Sequence, residues 1–161
     1  MSYQDITNIY KRKRKYKLIK QKYFIDDKGT KYIVDGKHVV LKLTKREVEV
    51  AKILGASIGG KVKIMPRISQ PPGIKTPDYI IKNEKFDLKE ITGSGKYVIE
   101  GNLRKKKKQA NNFIIDLTNT KIDLLEVKRQ IKSIYISKRF LWIDKIVIIK
   151  NSEIIVAFKR K

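Results

Sequence analysis

No cysteine occurs among the 161 residues, which excludes a disulfide framework and any zinc or iron–sulfur site built on thiolates. With His38 the only histidine, no histidine pair can be assembled for the acid–base catalysis that many metal-independent ribonucleases use. Acids are scarce too: 16 Asp and Glu face 39 Lys and Arg, a formal charge of +23 and a pI near 10.1. No run approaches the length of apolar chain that crosses a bilayer, and no apolar stretch follows the basic N-terminus as a secretory signal requires. The expectation is a chain that spans no membrane and acts in a cytoplasm.

What is present is 41% hydrophobic, enough for one domain with a real core and a small appendage. The excess of cations repels itself in the folded state, and phosphate neutralisation with counterion release is the use that best repays it, so nucleic acid is the leading partner. A Lys/Ile/Asn bias of the kind AT-rich coding produces accounts for part of the excess, but such a bias raises acids as well.

Along the chain, residues 1–22 hold the run Lys11-Arg12-Lys13-Arg14-Lys15, which reads equally as a basic arm or as a solvated stretch before the first strand. Three short alternating runs, Tyr23–Ile25, Lys31–Val34 and His38–Leu43, are separated by Asp26-Asp27-Lys28-Gly29 and Asp35-Gly36, and together predict a small β-meander. Residues 1–43 are therefore expected as arm and meander, and 44–161 as the main domain. Thr44 and Glu47 have the spacing of a capping box that opens a helix to about Ile58, ended by Gly59-Gly60, with Val50, Ala51 and Leu54 buried. A strand at Lys61–Met65 and a proline-bearing loop to Thr76 follow. After Thr92-Gly93-Ser94-Gly95 come a helix over about 97–111, a strand at Phe113–Leu117, and a helix over Lys121–Ser137 with Ile122, Leu125, Ile131 and Ile134 or Tyr135 inward. Trp142–Lys150 and Glu153–Lys159 close the chain as a hairpin about Asn151-Ser152. From Thr44 the order is helix, strand, strand, strand, helix, strand, then helix and hairpin, an α/β (α+β) class with a mixed sheet.

Between the loop and the second helix lies the stretch Thr76–Glu90, which reads as a β-hairpin about Lys82-Asn83-Glu84. Alternation puts Asp87 and Lys89 on one face of a strand and Phe86 and Leu88 on the other. A two-residue turn at Lys82-Asn83 sets Asp78 opposite Asp87, and a turn at Asn83-Glu84 sets it opposite Lys89; only an odd-length loop takes Asp78 off that face. Two carboxylates and a lysine on one face suit a divalent cation, Mg²⁺ or Mn²⁺, because hard oxygen donors hold it while leaving room for water and a phosphate oxygen. The lysine can orient the water or offset charge on the phosphate.

Pro77-Asp78, eight residues, then Asp87-Leu88-Lys89 resembles the PD-(D/E)XK signature of restriction-endonuclease-like nucleases, whose core has the helix–strand–strand–strand–helix–strand order read above. Thr76–Tyr79, Phe86–Ile91 and Lys107–Leu117 are similar to the C-terminal tRNase domain of contact-dependent growth inhibition toxins, also carried by mobile elements, over about residues 44–150. The resemblance implies that Asp78, Asp87 and the Leu88 carbonyl ligate the metal and that Lys89 works on the water. It implies an acid on the first core helix, for which Glu49 is the choice and Glu47 the substitute, and an accessory role for Gln109. Asp87 departs from the toxin pattern, which more often has Glu there. The expected activity is metal-dependent hydrolysis of RNA, tRNA foremost, by a toxin or mobile-element effector, with an acidic immunity protein as a candidate partner.

Arg104, Lys105, Lys107 and Lys108, directly after the proposed site, are the best placed cations for phosphate contacts. Rival readings keep the fold but cut DNA, or make the chain a non-catalytic nucleic-acid-binding protein. A further rival is a metal-free ribonuclease of the barnase, colicin and RelE type, supported by Lys138, Arg139 and Lys145. His38 and Trp142 are expected to be structural.

Overall fold

A computed structural model describes residues 2–107 and 109–161. Two compact units divide the chain: Arg12–Phe86, and residues up to Lys11 together with Asp87–Lys161. In chain order the strands and helices are β1 (Tyr3–Asp5), β2 (Tyr16–Lys20), β3 (Tyr23–Ile25), β4 (Lys31–Ile33), β5 (Val39–Val40), α1 (Lys45–Ile58), β6 (Gly60–Ile64) and β7 (Arg67–Ile68). They continue with β8 (Tyr79–Ile81), β9 (Glu84–Glu90), α2 (Val98–Leu103), β10 (Asn112–Asp116), α3 (Leu124–Ile136), β11 (Lys145–Lys150) and β12 (Glu153–Arg160). The predicted order from α1 to β10 is observed, with the short β7 interposed, and the sheet is mixed.

In the unit Arg12–Phe86, β2 runs parallel to β6, β6 antiparallel to β8, and β8 antiparallel to β9. Helix α1 starts where Thr44 Oγ1 accepts from Glu47 N at 3.1 Å and ends at Gly59, whose φ of +83° suits glycine. Its stripe of Val50, Ala51 and Leu54 is buried, and the helix packs on β2 and β6. Register puts Val62, Ile64, Tyr79, Ile81 and Phe86 on one face of these strands, and all five are buried. The expected meander is corrected to the hairpin β3–β4, for Val39–Val40 pairs with β7 instead. The Asp35 carboxylate accepts from the backbone N–H of Lys37, His38 and Val39, so the turn expected at Asp35-Gly36 takes in His38 and leaves a strand of only two residues.

In the other unit β1 is antiparallel to β12, β12 antiparallel to β11, β11 parallel to β10, and β10 neighbours β9. One core cluster joins Ile99 and Leu103 of α2, Phe113 and Ile115 of β10, Val127, Ile131 and Ile134 of α3, and Ile146 and Ile148 of β11. The first 22 residues thus hold two strands, β1 and β2.

Three expectations are corrected here. The helix over 97–111 ends at Leu103. The next positions on its buried stripe are Lys106 and Lys107, and an ammonium cannot take the place of Leu103 in the core, so the chain turns, with Lys106 N donating to Leu103 O. Leu125 is 82% exposed, because it stands two residues, about 200° around the helix, from buried Val127; the helix itself begins later than expected, with Asp123 Oδ1 accepting from Glu126 N at 2.8 Å. Trp142 precedes its strand, which starts at Lys145; its ring packs edge-on against Phe113 and its Nε1 donates to Arg139 O.

Candidate functional site

The turn between β8 and β9 has two residues: Ile81 pairs with Glu84, and Lys82 and Asn83 take φ of +51° and +65°, as a type I′ turn demands. Tyr79↔Phe86 is the last pair of that ladder, and Asp78 and Asp87 are the residues next beyond it. Of the two registers read from sequence, the hairpin has the one turning at Lys82-Asn83.

Within the unit Arg12–Phe86, Asp78 sits just ahead of β8, where its carbonyl accepts from Met65 N at 3.0 Å. Its carboxylate lies 3.7 Å from Arg67 Nη2, and the same nitrogen donates to Glu47 Oε1 at 2.6 Å. Glu47 and Asp78, with side chains 14% and 20% exposed, therefore converge on a single cationic nitrogen. Partial burial disfavours the Arg67 charge, but Glu47 and Asp78 outweigh it and raise its pKa above the ordinary arginine value. Tyr79 ties the two acids to the fold: its hydroxyl donates to Glu47 O at 2.6 Å, and burial, reinforced by the charges of Asp78 and Glu47, pushes its pKa far up, so it stays a donor.

Glu49 is placed elsewhere. Two residues along an α-helix turn the side chain by about 200°, and Glu49 pairs with Arg46 at 3.2 Å on the exposed side of α1. Of the two helix acids named from sequence, Glu47 is the one that shares an arginine with Asp78. Arg67 was missed. It lies in the two-residue strand β7, within a segment that reads in sequence as a proline-bearing loop, and nothing in the residues around it marks it.

In the other unit, Asp87 is buried within β9, Leu88 and Lys89 are half-buried, and Asp87 and Lys89 share a strand face. Glu90, at the end of the strand, accepts from Asn119 Nδ2 at 2.6 Å. Buried Asp116 is satisfied by the N–H and hydroxyl of Thr118, a structural turn. Arg104, Lys105 and Lys107 are exposed in the turns after α2, Gln109 is half-buried with its N–H on Lys106 O, and Lys108 lies outside the described residues. Glu100 gathers Arg104 at 3.1 Å and Arg139 at 3.5 Å.

Among the described residues no group of three or more His, Cys, Asp and Glu side chains is arranged to hold a metal. An ion at these acids would complete its shell with carbonyl, water or phosphate oxygens, as Mg²⁺ commonly does.

The sequence pattern of the contact-dependent growth inhibition CdiA C-terminal domain matches residues 75–155, half of the chain. The chain belongs to that family. The matched span of the CdiA C-terminal domain holds Asp78, Asp87, Lys89 and the basic turns, while Glu47 and Arg67 precede it. The fold is similar to that of a chain in the CdiA-CT/CdiI toxin and immunity complex from Burkholderia pseudomallei, with 19% identity, 86% of this chain and 96% of that chain covered, and a TM-score of 0.51. At that identity the likeness is one of fold. No curated protein matches the chain.

Proposed function

We propose that this CdiA C-terminal domain is a toxic effector that hydrolyses phosphodiester bonds as a metal-dependent nuclease of the PD-(D/E)XK kind, acting on RNA with tRNA the favoured substrate. The observation that carries the reading is the two-residue turn at Lys82-Asn83, the register on which the acid–acid–lysine motif depends. Family membership supports it, as does the neighbour's description as a toxin and immunity complex.

The donor set fits a hard divalent cation. Glu47 and Asp78 already turn oxygens toward one positive nitrogen, and all the candidate ligands are oxygens. Asp78, Asp87 and the Leu88 carbonyl would hold Mg²⁺ or Mn²⁺, with Glu47 in the part first given to Glu49. When bound, the ion would supply Lewis-acid polarisation of the scissile phosphate and a more acidic water. Lys89 would orient that water through Nζ and offset charge on the phosphate. Gln109 and the cations Arg104, Lys105, Lys107 and Lys108 would steady the backbone of the substrate. A protein whose net charge is +23 would be met by an acidic immunity protein.

Incubation of the pure protein with total tRNA and with plasmid DNA, each with Mg²⁺ or with EDTA, tests the reading. Cleavage of tRNA that stops in EDTA is expected. Cleavage that survives EDTA overturns the metal mechanism, and cleavage of DNA alone overturns the substrate.

A further inference from the structure

Two strands of the unit Arg12–Phe86 carry a charge arrangement that works against their own pairing. β2 and β6 run parallel with Lys17 opposite Lys61 and Ile19 opposite Lys63. Side chains alternate, so Lys17, Lys61 and Lys63 leave one face of the sheet, while Val62 and Ile64 go to the buried face under α1. Like charges directly opposite one another on neighbouring strands are destabilising. Neither strand contains an acid to offset them, and none of the three lysines is in a salt bridge with a described residue. Lys63 in turn pairs with Ile80 of β8.

We infer that this face binds the phosphodiester backbone of a nucleic-acid strand. The inference takes its ligand class from the nuclease reading above. The residues lie outside the span matched by the family, residues 75–155, and are distinct from the cations after α2. Ammonium groups act as point charges for phosphate. Beside these lysines β2 and β6 place only Ile19 on this face, with no aromatic side chain or arginine of the kind that anchors a protein partner, so a polyanion backbone fits it better than an acidic protein does.

The test is tRNA binding in EDTA, where no metal-dependent cleavage interferes, measured by fluorescence anisotropy over a range of salt. A Lys17→Gln/Lys61→Gln/Lys63→Gln variant is expected to bind about tenfold or more weakly near 0.1 M salt, with its log K against log [salt] slope shallower by about 2, since each lost phosphate contact removes roughly 0.7–0.9. Its melting temperature should hold or rise, because repulsion is relieved. The Lys→Arg counterpart should bind as the parent does, and single Lys17→Gln or Lys61→Gln variants should each make the slope shallower by about 0.7–0.9. A control variant, Lys121→Gln/Lys128→Gln/Lys132→Gln, removes the same charge from and beside α3. If it weakens binding as much as the face variant, or if the face variant keeps the parental slope, the inference is overturned and the nuclease reading stands. If the parent protein binds neither tRNA nor DNA, the nuclease reading falls as well. Binding of polyglutamate but not tRNA, lost in the face variant, would make this a protein-docking face and overturn the inference.

Discussion

Arg67 is the residue on which the half-buried acids of the first unit depend. Its Nη2 serves Glu47 at 2.6 Å and Asp78 at 3.7 Å, and removing it leaves two like charges close together with little water around them. Arg67→Met is expected to lower stability by on the order of 1 kcal/mol, toward the modest end because the arginine side chain is 54% exposed. Divalent ions should then raise the melting temperature of the variant more than that of the parent, since the ion takes the vacated counter-charge role. Thermal melts with and without Mg²⁺ check both; an equal ion response in the two proteins would count against Glu47 and Asp78 as ligands. At the chemical step, Asp87→Asn and Lys89→Ala should each cut tRNA cleavage by roughly 10²–10⁴ while tRNA binding in EDTA stays near parental. A variant of either residue that cleaves at full rate removes that residue from the site.

At the scale of the element, the β8–β9 turn converts sequence into register. Lys82 sits at φ +51°, a conformation that favours Asn and Gly, so Lys82→Gly should stabilise the hairpin by up to about 1 kcal/mol. Inserting one glycine between Lys82 and Asn83 should lower both the melting temperature and cleavage, because a register slip that turns Asp78 over also carries buried Tyr79 and Ile81 off the core face; an insertion variant that melts and cuts like the parent would disconnect the turn from fold and chemistry. This turn was legible in sequence to within one residue, as were α1, with its Thr44 cap and Gly59 stop, and β10, because each is fixed by local signals. Where tertiary structure decided, the sequence misled. Lys106 and Lys107 cut α2 short because positions that a helix would bury were charged, and Val39–Val40 found a partner 28 residues away in β7. The partnership of Glu47 with Arg67 was hidden for the same reason, since 20 residues separate them. Helix α3 shows a local signal with a pH signature. Hydrogen bonds from Arg129 and Gln130 hold Glu126 down at about 2, below its ordinary 4.5. A depressed carboxyl stabilises the fold above its unfolded value, and that contribution is lost as pH falls through the folded one. The melting-temperature gap between the parent and Glu126→Gln should therefore be fully open at pH 6 and close between about pH 4.5 and 2; a gap unchanged at pH 2.5 would refute the assignment.

For the molecule as a whole, charge sets two responses to salt that point in opposite directions. With +23 on 161 residues, repulsion is spread through both units, and Lys17 opposite Lys61 is one local instance of it. Added salt shortens the Debye length from about 30 Å at 0.01 M to about 10 Å at 0.1 M, which relieves self-repulsion between exposed lysines. The melting temperature should consequently climb between 0.01 and 0.3 M NaCl. Over the same range affinity for tRNA should fall steeply, because counterion release is its main source. A protein with a neutral surface balance would show neither trend strongly. If the melting temperature instead dropped with salt, the 16 acids would have to be acting mainly through ion pairs that outweigh the lysine excess, and the excess would no longer need a polyanion to explain it. Nucleic acid or an acidic partner protein should reproduce the stabilisation at low salt by neutralising the same surface, so a tRNA titration followed by thermal melt at 0.02 M NaCl should raise the melting temperature until the site is filled and then level off.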